Sequence, residues 1–270
     1  MNTYAKLVQG WRNIKTIAFL TLDTLFWSKK TLFVAVISVL VILLSLLGRL
    51  ILTYHWIRTP FTSAQVFSSL MSTAIIHFLV VFVTLFYGTA LISEEVEGKT
   101  LTYLLVRPIP KPTIMIGKFL ALVWIGALLV LPTIIVSYAI LYVRADMAPF
   151  FEDIGTLGKD VGIVFLALLA YGSFFSLLGA WLKHSILAGL VYAFGWEGIV
   201  SYLPGFTRKL TITHYVQSIF PHEDAGTAIA MMIGERSGLL ESVLTLILLT
   251  GFFLATASLI LREKEYVLDQ

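Results

Sequence analysis

Apolar residues gather along this chain in six long runs separated by shorter polar segments. A membrane-spanning helix needs about 20 mostly apolar residues. Runs of that length occupy 31–52, 66–92, 116–143, 161–182, 185–203 and 239–261. The third contains Pro132, which predicts a kink because proline removes a helical hydrogen bond. The fourth and fifth are joined by a very short turn with Lys183 and His184 at its tip. The pattern predicts an all-α polytopic membrane protein with six transmembrane helices, forming one domain over 1–270.

The first residues, 4–27, follow a different pattern. Leu7, Trp11, Ile14, Ala18, Leu22 and Leu25 fall on one helical face, and Gln9, Arg12, Asn13, Thr16 and Asp23 on the other. This predicts an interfacial amphipathic helix with an aromatic anchor, closed by Lys29 and Lys30. It is not a cleavable signal, because the apolar run after it is too long for that role.

Ser93 to Lys118 is the long polar interruption of the first half. Glu94, Glu95 and Glu97 come first, then the apolar Leu101, Tyr103, Leu104 and Leu105, then Pro108, Pro110 and Pro112. Acidic residues favour the first turn of a helix and proline stops one. The expectation is a short amphipathic helix over about 94–106, lying at the membrane surface and ended by the proline-rich stretch. The segment 204–238 holds two further apolar stretches, Ile212 to Phe220 and Ala225 to Ile233, each too short to cross. They predict a re-entrant or interfacial helical hairpin before the last span.

Composition narrows the class. The chain is 58% hydrophobic and 13% charged, with a mean hydropathy of +0.91, more apolar surface than a soluble domain of this length hides. It has no cysteine, which removes disulfides, thiolate nucleophiles and cysteine-bound metals. The net charge of +3 is small, and the basic residues sit at span ends instead of forming a patch, so nothing points to nucleic acid. Their distribution sets orientation. Lys6, Arg12, Lys15, Lys29, Lys30, Lys99, Arg107, Lys111, Lys118, Lys183, Arg262 and Lys264 lie on one side. Arg49, Arg58, Arg144, Lys159, Arg208, Lys209 and Arg236 lie on the other. The larger group places both termini and the 93–115 loop in the cytoplasm. The 144–160 loop, with Asp146, Glu152, Asp153 and Asp160, is then external.

The pattern E-x-E-G-x-T-L-x-x-L-L-x-x-P, followed by Gly-Lys before the next span, is carried here by Glu95, Glu97, Gly98, Thr100, Leu101, Leu104, Leu105, Pro108, Gly117 and Lys118. It resembles six-span permease subunits of type-2 ABC exporters. Trp196–Glu197 followed by Leu203–Pro204–Gly205 recurs in one branch of the same family. The resemblance implies a permease without its own nucleotide site, no cofactor and no metal. It implies a pair formed with a second copy or a homologous permease, and two cytosolic ATPase subunits that bind ATP. Glu94, Glu95, Glu97, Gly98, Thr100, Leu101, Leu104, Leu105, Arg107 and Pro108 would then form the coupling contact with the ATPase. Export is the family's usual direction. Pathway-facing side chains that are mostly apolar and aromatic hint at an amphipathic or lipid-like cargo.

The same residues admit other readings. Ser93 to Thr100 lacks the first glycine of a phosphate-binding loop and carries three carboxylates that repel phosphate. Glu94–Glu95 suggests an intramembrane glutamate-type protease. That chemistry needs histidines at the same site, whereas His77 is intramembrane, His184 lies at a tip, and His55, His214 and His222 are expected outside. His222–Glu223–Asp224 is a poor metal site, since adjacent residues rarely aim at one ion. An ATP-independent channel or a structural membrane subunit is the third class.

Small residues recur on single faces, as Gly172, Ser176 and Ala180 in the fourth span and Gly189 and Ala193 in the fifth, which predicts close helix packing. Glu197 and His77 are ionisable residues that stand well inside spans, and charge in a membrane needs a partner or a cavity. Counted from the cytoplasmic ends, their depths differ by roughly 5 Å. The candidates for Glu197 are His77, Arg49 or local backbone beside Gly195 and Gly198.

Overall fold

The computed structural model describes residues 3–54, 62–97, 110–142, 154–200, 206–220 and 237–263, and every element among them is helical. Five helices are long and apolar enough to cross a membrane. α2 (Lys29–Tyr54) is the first. The second begins as α3 (Ser63–Leu70), passes through a π-helical stretch (Met71–Val80) and continues as α4 (Val81–Glu97). α5 (Lys111–Tyr142) is the third and runs as one helix through Pro132. α6 (Ile154–Trp181) is the fourth and α9 (Leu239–Glu263) the last. Between them lie α7 (Ser185–Val200) and α8 (Ile212–Ile219). α7, expected as a full span over 185–203, is shorter than the other five, because it ends at Val200 among the described residues. Among the described residues there are thus five long apolar helices and one shorter one.

The second, third and fourth spans form the core, and α2 and α9 lie at its edge. α2 turns Val34, Ser38, Val41 and Ser45 inward, one residue per helical turn. Leu32, Val36, Leu40, Leu43 and Leu47 stay exposed on its other side. Such an outer surface is costly in water and is what a lipid-facing helix requires.

Close backbone approach holds α4 against α6. A Cβ on Gly179 would stand 2.5 Å from the Thr89 carbonyl oxygen and 3.0 Å from that of Gly88. A Cβ on Gly88 would meet Phe175 Cβ at 2.8 Å and the Ser176 nitrogen at 3.2 Å. With no hydrophobic drive between helices in lipid, contact of this kind supplies the packing energy. The expected stripe of Gly172 and Ser176 lies at this contact, and Gly179 extends it.

α3 opens with a reciprocal cap. The Gln65 amide donates to Thr62 Oγ1 at 3.3 Å and the Thr62 amide to Gln65 Oε1 at 3.0 Å. At the same end of the bundle, Arg49 Nη1 donates to the carbonyls of Ile140 at 2.7 Å and Leu141 at 3.4 Å. These belong to the last turn of α5, whose final carbonyls have no helical partner.

The N-terminal helix α1 (Thr3–Phe26) packs along α5. Among the residues of α1 whose side chains are described, Ile17 and Leu25 are buried and Trp11 is exposed, so of the expected apolar face Leu25 turns inward and Trp11 does not. Gly117 explains the fit: a Cβ there would touch Ile17 at 3.0 Å and the Ile14 carbonyl at 3.1 Å. Lys118, next to it, is buried and donates to the Leu91 carbonyl at 2.7 Å, joining the start of the third span to the second. Asp160, expected in an external loop, lies inside α6 and is fully buried, because that helix starts at Ile154.

Candidate functional site at the inner end of a re-entrant helix

α7 runs back along the core from Ser185, whose hydroxyl donates to the Thr89 carbonyl at 3.4 Å. Gly189 lets it rest on Leu85 of α4 and Phe175 of α6. From Val191 to Glu197 the helix is π-helical, with Gly195 inside the stretch and Gly198 just after it. Glycine weakens a helix, and a π turn is a common way to absorb an extra residue at a functional position. The stretch ends on Glu197, which is only 6% exposed.

Glu197 is held by three elements at once. Oε1 accepts from the Tyr192 hydroxyl and from the Ile212 amide, both at 2.8 Å. Oε2 accepts from the Tyr171 hydroxyl at 2.8 Å, the Thr213 amide at 3.2 Å and the Thr213 hydroxyl. Tyr171 and Thr213 also lie 2.8 Å apart, oxygen to oxygen. The two amides are the first donors of α8, which have no partner within their own helix. The third is met by Thr211, whose Oγ1 accepts from the His214 amide at 3.3 Å. A carboxylate from another helix therefore caps α8, with the helix dipole favouring its charge.

This cap lies deep. Tyr171 is about 15 Å from the Trp181 end of α6 at 1.5 Å per residue. That is near the middle of an apolar layer of about 30 Å. α8 thus enters the bundle instead of resting on its surface, with Ile212, Thr213, His214 and Val216 buried against α6 and α9.

A second contact holds the other end of α8. The Gln217 side-chain amide meets His77 Nε2 at 3.2 Å, and Gln217 Oε1 accepts from Arg208 Nη2 at 3.0 Å. Since Gln217 offers an N–H, His77 Nε2 is the acceptor. Its Nδ1 then carries the proton and donates to the Ser72 carbonyl at 2.6 Å. His214 lies 3.1 Å from the Ser237 hydroxyl.

The two intramembrane residues of the sequence reading therefore do not pair. His77 meets Gln217, Arg49 caps α5, and Glu197 takes two tyrosines, a threonine and two amides. Similar depth brought Glu197 and His77 to the same helix, not to each other. Tyr171, Tyr192, Thr213 and Gln217 escaped the sequence reading. A tyrosine in the middle of an apolar span was the available signal, because its buried hydroxyl needs a partner.

Of the coupling residues, Glu94, Glu95 and Glu97 lie in the last turn of α4. The span helix continues through them, where a new helix was expected to start, because no breaker occurs before Gly98. Gly98, Thr100, Leu101, Leu104, Leu105, Arg107 and Pro108 lie outside the described residues, as do Leu203–Pro204–Gly205, Ala225 to Ile233 and His222–Glu223–Asp224. Among the described residues no cluster of three metal-binding side chains occurs.

Comparison with individually curated proteins finds no match. A family profile described as ABC-2 family transporter protein matches residues 23–203, from the end of α1 to just past α7. That match covers most of the chain, and the helices within it include ones long and apolar enough to cross a membrane: the chain belongs to the ABC-2 transporter family and is a multi-pass membrane permease.

Proposed function

We propose that this chain is the permease subunit of an ATP-driven exporter in the cytoplasmic membrane. Both termini and the 93–115 loop face the cytoplasm. Two cytosolic ABC ATPase subunits bind ATP and dock beneath a pair of permeases, made of two copies or of this chain and a homologue. The single observation that carries this reading is the course of α4. It leaves the buried core and runs unbroken to Glu97, straight into the stretch that holds Gly98, Thr100, Leu101, Leu104, Leu105, Arg107 and Pro108. A continuous helix is a stiff lever, so a push on that stretch reaches the core without loss in a flexible joint. Lys118 ties the start of α5 to the same helix through Leu91, which spreads the push to the third span.

Leu101, Leu104 and Leu105 have the spacing of a helix face laid in a partner's groove. The prolines after them form a stiff return. Leu104→Asp tests the reading. The variant inserts and melts like the parent but loses ATPase co-purification and transport-linked ATP turnover. A stable variant with normal ATPase binding and turnover removes the coupling role. The large exposed side chains are mainly apolar and aromatic, and the cargo proposed for the permease is amphipathic or lipid-like.

A further inference from the structure

Arg49 stands where three helices meet. Along α2 it is about 30 Å from Lys29 at 1.5 Å per residue. That is the full thickness of an apolar layer, so Lys29 and Arg49 reach opposite headgroup layers. Gly48 brings α3 close to α2, since a Cβ there would stand 2.8 Å from Val66 Cγ1 and 3.8 Å from Leu141 Cδ2. Phe67 of α3 meets Tyr138 and Tyr142 of α5 edge to face, with ring centres 5.5 Å and 5.9 Å apart. The end of α2, the start of α3 and the end of α5 are fixed together in this way. Between them lies a cavity of about 60 Å³ lined by Arg49, Leu52, Thr53, Ser63 and Leu141. One water needs about 10–15 Å³ of such space, so the cavity takes a group of roughly five heavy atoms. A phosphate group has that size.

The polar lining is rich in donors. Among the described residues both bonds of Arg49 leave from Nη1, to the carbonyls of Ile140 and Leu141. A guanidinium carries five N–H donors in a planar fork, so those on Nη2 and Nε are not used by α5. None of α2, α3 and α5 contains an acidic residue, so no carboxylate on the helices around the cavity offsets the charge. Thr53 gives its proton to the Arg49 carbonyl at 2.9 Å. The Ser63 hydroxyl makes no bond among the described residues. Arg49 and Ser63 are therefore the donors, and Leu52 and Leu141 form apolar walls. A guanidinium fork and a hydroxyl around a space of this size suit a tetrahedral oxyanion. On the Arg49 face of α2, Leu46 is exposed one turn nearer the bilayer centre, and Ile42 is half-buried one turn further. An anion held at Arg49 can lay acyl chains along this apolar track.

We propose that the cavity binds the phosphate group of an anionic phospholipid in the leaflet away from Lys29. Arg49 and Ser63 hold the phosphate, and the outer face of α2 carries the tails. The bound lipid ties the ends of α2, α3 and α5 together. The site is independent of which side of the membrane is cytoplasmic and of what drives transport.

The full-length chain, purified in an uncharged detergent, is titrated with dioleoylphosphatidylglycerol, and its melting temperature reports the apparent affinity. The lipid raises the melting temperature of the parent. Dioleoylglycerol, with the same tails and no phosphate, does not. Arg49→Gln keeps a donor for the α5 carbonyls but drops the charge. It weakens the apparent affinity at least about tenfold, the effect of losing one hydrogen bond to a charged group. Ser63→Leu fills the cavity and leaves the Arg49 bonds to α5 in place. It weakens the affinity as much, while its melting temperature without lipid stays close to the parent's, so the test survives if Arg49→Gln folds poorly. Parental affinity in Ser63→Leu, or a rise with dioleoylglycerol equal to that with dioleoylphosphatidylglycerol, overturns the site. Sodium phosphate at millimolar concentration leaves the parent's melting temperature unchanged. A rise with phosphate alone that Arg49→Gln abolishes overturns the lipid assignment in favour of a free anion.

Discussion

Gly179 offers a quantitative test of how the core is assembled. Its missing Cβ would lie 2.5 Å from the Thr89 carbonyl oxygen and 3.0 Å from the Thr89 carbonyl carbon and the Gly88 carbonyl oxygen. All three are backbone atoms of the facing helix, so no side-chain rotation makes room. Ordinary contact begins at 3.4 Å, and Gly179→Ala must therefore part α4 and α6 by roughly 0.9 Å at this level. Overpacking of a tight core costs about 1–3 kcal/mol. Alanine also favours a helix over glycine by about 1 kcal/mol, which blurs a single measurement. Gly162, in the same helix, provides the control, because a Cβ there meets nothing within 4 Å. The propensity gain is common to both variants, so Gly179→Ala should be less stable than Gly162→Ala by the full overpacking cost. At about 2–4 °C per kcal/mol the gap is several degrees. Thermal melts of the purified proteins in one detergent give the difference directly. If the two variants melt together, the close approach of α4 and α6 is wrong.

One further expectation concerns orientation. A reporter active only outside the cytoplasm should be silent after Gln270 or within 108–112 and active near Thr59 or Glu152; activity at Gln270 contradicts cytoplasmic termini.

How much of this protein is legible in its sequence depends on the distance over which each force acts. Hydropathy is a property of a short window, because lipid acts as the solvent for each helix separately. The apolar runs of the five long helices, the N-terminal helix and the stretch at 212–219 were therefore visible in the sequence, although the fourth span begins at Ile154 and takes in Asp160, which the sequence placed in a loop. The small-residue stripe was visible in Gly172 and Ser176, but only the facing backbone of Thr89 makes Gly179 its tightest point. The inward face of α1 likewise depends on Gly117, about a hundred residues away, which selects Ile17 over Trp11. Glu197 announced itself as a charge in an apolar run, and the need for a partner followed from the cost of burying it. Which partner it takes was decided by the fold. Tyr171, Tyr192 and Thr213 reach it from three separate helices, and hydrogen bonds, unlike hydropathy, depend on where distant segments come to lie.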